Sequence, residues 1–163
     1  YVRQHEHPIP LHVAGAIADQ GYYNKICKFI EENGLKKFVL FIGQINNVED
    51  VMRKALAIIV PSRFEGFGRC VPEAMFNGCL VIGKNNAGTK EQFDNGLEFC
   101  KEEIGLRYNT DQQLLDHLMR VTSLSDDERK HFVNLAFKTV VNYYADQISV
   151  NKVFDFYNDI VNA

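Results

Sequence analysis

Short apolar runs alternate with stretches of helical periodicity through the first hundred residues. Strands are expected over 11–15 (Leu-His-Val-Ala-Gly), 38–42, 57–60 and 79–82, with a fifth over 105–108 after an irregular stretch around Gly96. Between the first two, Tyr23, Ile26, Cys27 and Ile30 recur at i, i+3, i+4 and i+7, which is one face of a helix. Asn33-Gly34 ends that helix, since both residues tolerate the left-handed conformation. Asn47 is placed to cap a short helix reaching Ala55, and Pro72 to begin another that ends near Gly78.

The last third is helical throughout. Thr110 with Gln113, and Ser125 with Glu128, are two capping boxes. Three apolar stripes follow: Leu114, Leu115, Leu118 and Val121; then Phe132, Leu135, Ala136, Thr139, Val140 and Tyr143; then Val153, Phe154, Tyr157, Ile160 and Val161. Strands of four to six residues, apolar on both faces and separated by helices, imply a parallel sheet covered on both sides. The expected class is therefore α/β: one Rossmann-like domain over 1–163 with a helical C-terminal tail. In open parallel sheets the ligand lies beyond the carboxyl ends of the strands. That directs attention to the loops after them, around residues 15–17, 43–45, 61–72 and 83–89.

Composition narrows the classes. The 163 residues are 46% hydrophobic and 24% charged, ordinary for a globular domain, which excludes disorder, collagen and coiled coil. Eighteen basic against twenty-one acidic residues leave a formal charge of −3, so no net field attracts nucleic acid. Apolar runs such as Ala57-Ile58-Ile59-Val60 are far short of the ~20 residues that span a bilayer. Cys27, Cys70, Cys79 and Cys100 form no CxxC pair and sit beside apolar residues, so they read as reduced, mostly buried thiols of a cytoplasmic protein.

The chemistry concentrates in residues 60–75. A strand ends at Val60, a glycine-bearing loop follows, and Pro72 suits the first turn of a helix. Gly66 and Gly68 let the backbone approach a ligand closely. The N–H groups of Arg69, Cys70 and Val71 precede a helix N-terminus, a combination suited to phosphate. Glu65 and Glu73 flank this cradle. A carboxylate does not pair with phosphate, but it accepts two hydrogen bonds from vicinal hydroxyls. An anion cradle between two hydroxyl-reading acids fits a nucleotide-sugar, with its diphosphate in the middle and a sugar at each end.

These segments resemble the retaining glycosyltransferases of the GT-B fold, specifically the large family GT4 (glycosyl transferases group 1). Glu65 to Glu73 reproduces its E-x7-E signature within "E-G-F-G-x-x-x-x-E-A-M". The first strand and helix look like the family's second C-domain strand and its "G…Y" helix. Residues 38–43 look like "V-x-F-x-G". Residues 57–62 look like the "A-D-V-x-V-P-S" run, with Leu56 departing from it, and residues 78–91 look like "G-x-P-V-V-A-x-x-x-G-G-x-x-E", with Ala87-Gly88 in place of Gly-Gly.

The resemblance implies roles. Glu73 would bind the donor ribose and Glu65 would contact the transferred sugar. The backbone of Gly66, Phe67, Gly68, Arg69, Cys70 and Val71 would hold the diphosphate. Gly15, Gly43 and Ile45 would line the base, and Gly88, Thr89 and Glu91 complete the donor site. Transfer would need no metal and no cofactor beyond the nucleotide-sugar itself. The family's G-R…K-G clamp and its first C-domain strand are not found, nor is the N-terminal acceptor domain. The resemblance thus implies a donor-binding fragment, inactive alone, whose partner is the acceptor domain of the same chain. An epimerase or phosphorylase relative and a non-catalytic nucleotide-sugar-binding module are the alternatives.

Other residues have plainer readings. His5 and His7 read as a solvated segment, and Arg63 as structural or surface. Arg69 either faces solvent or neutralises the diphosphate. Glu91 is expected in the first turn of a short helix. Lys25, Lys28, Lys36 and Lys37 lie near Glu31, Glu32 and Glu49, which favours a solvated face over peripheral contact of the full enzyme with a membrane.

Overall fold

A computed structural model describes residues 1–64, 66–145 and 148. The expected stripe at Val153, Phe154, Tyr157, Ile160 and Val161 lies outside the described residues. The strands are all parallel but hydrogen-bond in two groups, one of two strands and one of three, and the chain divides into two units, at residues 1–48 and from 49 onward.

The first unit is a strand–helix–strand turn. β1 (Leu11–Ala14) and β2 (Val39–Gly43) pair with Leu11 opposite Val39, and the register shifts between Val13 and Ala14. Asp19 caps α1 (Gln20–Glu32) by accepting from the Tyr22 amide at 2.8 Å. Ile30 is buried, and Tyr23 packs edge-on against Phe41 at 4.9 Å. Gly34, at φ +66°, closes the helix as expected. Lys28 pairs with Glu32 and Lys36 with Glu31 on the exposed side. These pairs fit the solvated face that the charge pattern favours.

The second unit holds a three-stranded sheet. β3 (Ala57–Val60), β4 (Leu80–Lys84) and β5 (Leu106–Tyr108) stack in that order, with Ala57 opposite Leu80 and Ile82 opposite Leu106. Successive side chains of β4 point to opposite faces. Leu80 and Ile82 bury with Leu106, Tyr108 and Val121 beneath Leu114 and Leu118 of α5 (Asp111–Ser123). Val81 buries on the other side with residues of α3 (Cys70–Phe76), α4 (Ala87–Cys100) and α6 (Asp126–Tyr143), and with Met52 of α2 (Val48–Lys54). Each such side chain contributes about 1.5–3 kcal/mol on burial. The sheet is thus covered on both faces, as its apolar strands require.

Both capping boxes form: Thr110 and Ser125 accept from the Gln113 and Glu128 amides, and each partner side chain returns the bond.

Two expectations change. Gly96 does not interrupt the chain; it lies inside α4, whose fourteen residues run unbroken. Its glycine is explained by Ile104, because a Cβ at position 96 would stand 2.3 Å from Ile104 Cδ1. The helix at Pro72 begins earlier, at Cys70. Pro72 still falls in the first turn, where its missing N–H costs nothing.

The thiols are also less deeply placed than expected. Only Cys79 is fully buried, and the other three are half-buried. Burial pushes the Cys79 thiol up to about 11.

Candidate functional site

The loops at the carboxyl ends of the strands form two clusters, one in each unit. In the first unit, Gly15 and Gly43 end β1 and β2, and the Gly15 N–H donates to the Gly43 carbonyl at 2.8 Å. Gly15 (φ +138°) and Gly43 (φ +68°) adopt backbone that side chains rarely allow, and Ile45 is half-buried beside them.

In the second unit, the loop after β3 runs into α3. Glu65, the acid expected to contact the sugar, lies outside the described residues. Gly68 is buried at φ +66° and turns the chain so that its carbonyl accepts from the Val71 N–H at 3.1 Å. This corrects the expectation for Val71. Its N–H is committed within the loop and its side chain is fully buried, so it offers no free donor to a ligand. Arg69 is exposed and Cys70 half-exposed. Glu73, in the first turn of α3, is exposed and therefore open to a ligand.

The start of α4 forms the wall behind this loop. Gly88 is where the two meet: a Cβ there would lie 1.8 Å from the Gly66 carbonyl oxygen. Asn86, at the N-cap position, does not cap its own helix. Its amide instead donates to the carbonyls of Ser62 at 3.2 Å and Arg63 at 2.7 Å. One turn further along, the Gln92 amide donates to the Phe67 carbonyl. Ala87 takes φ +42°, a left-handed angle, at the position where the resembled pattern has glycine.

Two further expectations are refined here. Thr89 is 1% exposed, and its methyl packs under Gly83, so its side chain belongs to the interior and not to an open cleft. Glu91 is exposed in the second turn of a long helix, not the first turn of a short one. Its charge still reaches the loop's surroundings. Burial, and then the negative charge of Glu91, push the Tyr144 hydroxyl up, while the hydrogen bond from Asn95 pulls it the other way. Tyr144 in turn meets the Phe67 ring edge-on at 5.4 Å.

The structure thus brings Gly66, Phe67, Gly68 and Gly88 into one corner, with Glu73 and Glu91 exposed on the two helices that leave it. Asn86 and Gln92 were missed in the sequence, because nothing in local spacing shows a side chain bonding to a carbonyl some 25 positions away.

Among the described residues, no three His, Cys, Asp or Glu side chains are grouped to hold a metal ion, and no helix is long and apolar enough to cross a membrane. His5 accepts from the His7 backbone N–H at 3.1 Å, a local turn contact.

Comparison with known proteins bears on most of the chain. The family described as "Glycosyl transferases group 1" matches residues 1–139. Poly(glycerol-phosphate) alpha-glucosyltransferase of Bacillus subtilis (strain 168) is 32% identical over 124 residues, covering 74% of this chain and 17% of that protein. The UDP-Gal:alpha-D-GlcNAc-diphosphoundecaprenol alpha-1,3-galactosyltransferase of Escherichia coli is 28% identical over 132 residues, covering 78% and 31%. The chain therefore spans less than a third of these relatives' length. The solved structure of Anabaena HepE in complex with UDP superposes with a TM-score of 0.77 at 17% identity, covering 92% of this chain and 41% of that one. At that identity the likeness is one of fold.

Proposed function

From the premise that the chain belongs to the glycosyl transferases group 1 family, we propose that it is the nucleotide-sugar donor-binding part of a retaining glycosyltransferase. The observation that carries this reading is the corner formed by the Gly66–Gly68 loop against Gly88, at the carboxyl ends of β3 and β4. Backbone N–H groups entering α3 are suited to a diphosphate. Glu73 is the acceptor for the ribose hydroxyls, and Glu65 is assigned to the transferred sugar. Similarity to the glucosyl- and galactosyltransferases, and to a fold solved with UDP bound, supports a hexosyl donor on a nucleoside diphosphate.

The proposed reaction keeps the anomeric configuration. An acceptor hydroxyl oxygen bonds to the anomeric carbon while the bond from that carbon to the diphosphate oxygen breaks. The nucleoside diphosphate leaves with the pair of electrons, and its phosphate takes the acceptor's proton. The proposal includes no metal in this step. The acceptor and the partner domain that presents it belong to the whole protein, whose place we assign to the cytoplasm because four cysteines outside any disulfide suit a reducing compartment.

Titration calorimetry with UDP, GDP and ADP tests the reading. One of them should bind, and Glu73→Ala should weaken it by about 1–3 kcal/mol, the cost of leaving hydroxyls unpaired. Unchanged affinity removes Glu73 from the site, and no binding of any nucleotide removes the site.

A further inference from the structure

We propose that Asn86 and Gln92 are positioning residues that hold the backbone of Ser62, Arg63, Gly66 and Phe67 in the shape that receives the donor diphosphate. The proposal rests on the nucleotide-binding reading above and adds to it the part played by α4.

Three contacts from one helix end reach the same loop in sequence. Asn86 Nδ2 donates to the carbonyls of Ser62 and Arg63, Gly88 provides the gap that the Gly66 carbonyl enters, and Gln92 Nε2 donates to the Phe67 carbonyl. Every contact is made on a carbonyl oxygen. Fixing a peptide's carbonyl toward α4 turns the N–H on its far side away from α4, so the clamp sets the direction in which the loop's donors point.

The chemistry of Gln92 argues against a packing role. The residue is 1% exposed, yet its Oε1 has no partner among the described residues. A half-paired amide is a poor choice for filling an interior, where leucine would pack as well without stranding an oxygen. What leucine lacks is the donor to Phe67. Asn86 shows the same preference. An asparagine at an N-cap ordinarily serves its own helix; here the side chain makes no cap bond, its Oδ1 is buried without a partner among the described residues, and its donor goes to the loop. Both residues place their donors on the loop, and neither acceptor has a partner among the described residues.

The test compares a nucleoside diphosphate with its nucleoside, using whichever of UDP, GDP and ADP binds the parent protein most tightly. Gln92→Leu and Asn86→Asp should each weaken the diphosphate at least tenfold and change nucleoside affinity less than twofold, because only the phosphate-facing loop is released. In the unliganded protein, the Gly66 and Phe67 amide resonances should move in both variants. Equal losses for diphosphate and nucleoside, or unchanged diphosphate affinity, would overturn the proposal. If Gln92→Leu fails to fold, Asn86→Asp decides, since position 86 is half-exposed at a helix start. If the parent binds no nucleotide, the reading of the site fails by itself. The loop resonances then decide the positioning role, and their standing still in both variants refutes it.

Discussion

Replacing Gly88 with alanine puts the loop-to-helix contact under a direct steric test. The added Cβ would lie 1.8 Å from the Gly66 oxygen, 2.9 Å from its carbonyl carbon and 3.1 Å from that of Phe67. All three are backbone atoms, so no side chain can swing aside. Carbon-to-oxygen contacts tolerate about 3.3 Å, so the loop must retreat by about 1.5 Å. The Asn86 bond to Arg63, now 2.7 Å, then passes beyond the ~3.2 Å limit of a sound hydrogen bond. The Gln92 bond goes with it, and each loss costs about 1 kcal/mol, more where a buried amide is left unpaired. Alanine's better helix propensity offsets up to ~1 kcal/mol. The net destabilisation should be about 1–3 kcal/mol. Urea unfolding measures it: with m near 2 kcal/mol/M, the midpoint should fall by roughly 0.5–1.5 M. The double variant Gly88→Ala/Gln92→Leu should lose less than the sum of the singles, because both break the same bond. A Gly88→Ala protein as stable as the parent would refute the close approach from which the site is built.

Three further outcomes follow from the second unit. Asp94 bonds to Lys90 and to Arg107 at 2.7 Å, and those cations hold its carboxyl below the usual carboxylate value, Lys90 most strongly. A depressed folded value stabilises above the unfolded one, near 3.8, and the benefit fades as pH falls through the folded value. Asp94→Asn should therefore lower the urea midpoint at pH 7, and the gap to the parent should close below about pH 4. Ser125→Ala removes one half of the second capping box and should cost about 1 kcal/mol in thermal unfolding, while Ser123→Ala nearby should cost less. Cys79, buried and with its thiol raised to about 11, should resist a disulfide reagent at pH 8 until the protein unfolds, with the other three thiols reacting first.

Much of this was legible in the residues. The capping boxes at Thr110 and Ser125 were readable because both partners lie within four positions. The end of β3 at Val60 was readable because Pro61 follows it, whereas β4 runs two residues past the expected Ile82. Gly96 misled because glycine usually marks a break, and only the fold reveals that Ile104 occupies the room where its side chain would be. The division of the strands into two hydrogen-bonded groups has no local signature, since pairing joins segments dozens of residues apart. The same distance hid Asn86 and Gln92. Val71 was misjudged because the Gly68 turn consumes its N–H before any ligand can, and a list of N–H groups ahead of a helix does not show that turn.

Ala87 has a consequence for how this sequence can drift. Its left-handed φ of +42° costs a methyl-bearing residue about 1–2 kcal/mol, and such an angle persists only where the surroundings insist on it. Glycine or asparagine could take over position 87 without rebuilding the corner, while valine, isoleucine or threonine could not. Any lineage that acquires one of those three must first remodel the bend, so position 87 can change readily in one direction and hardly at all in the other.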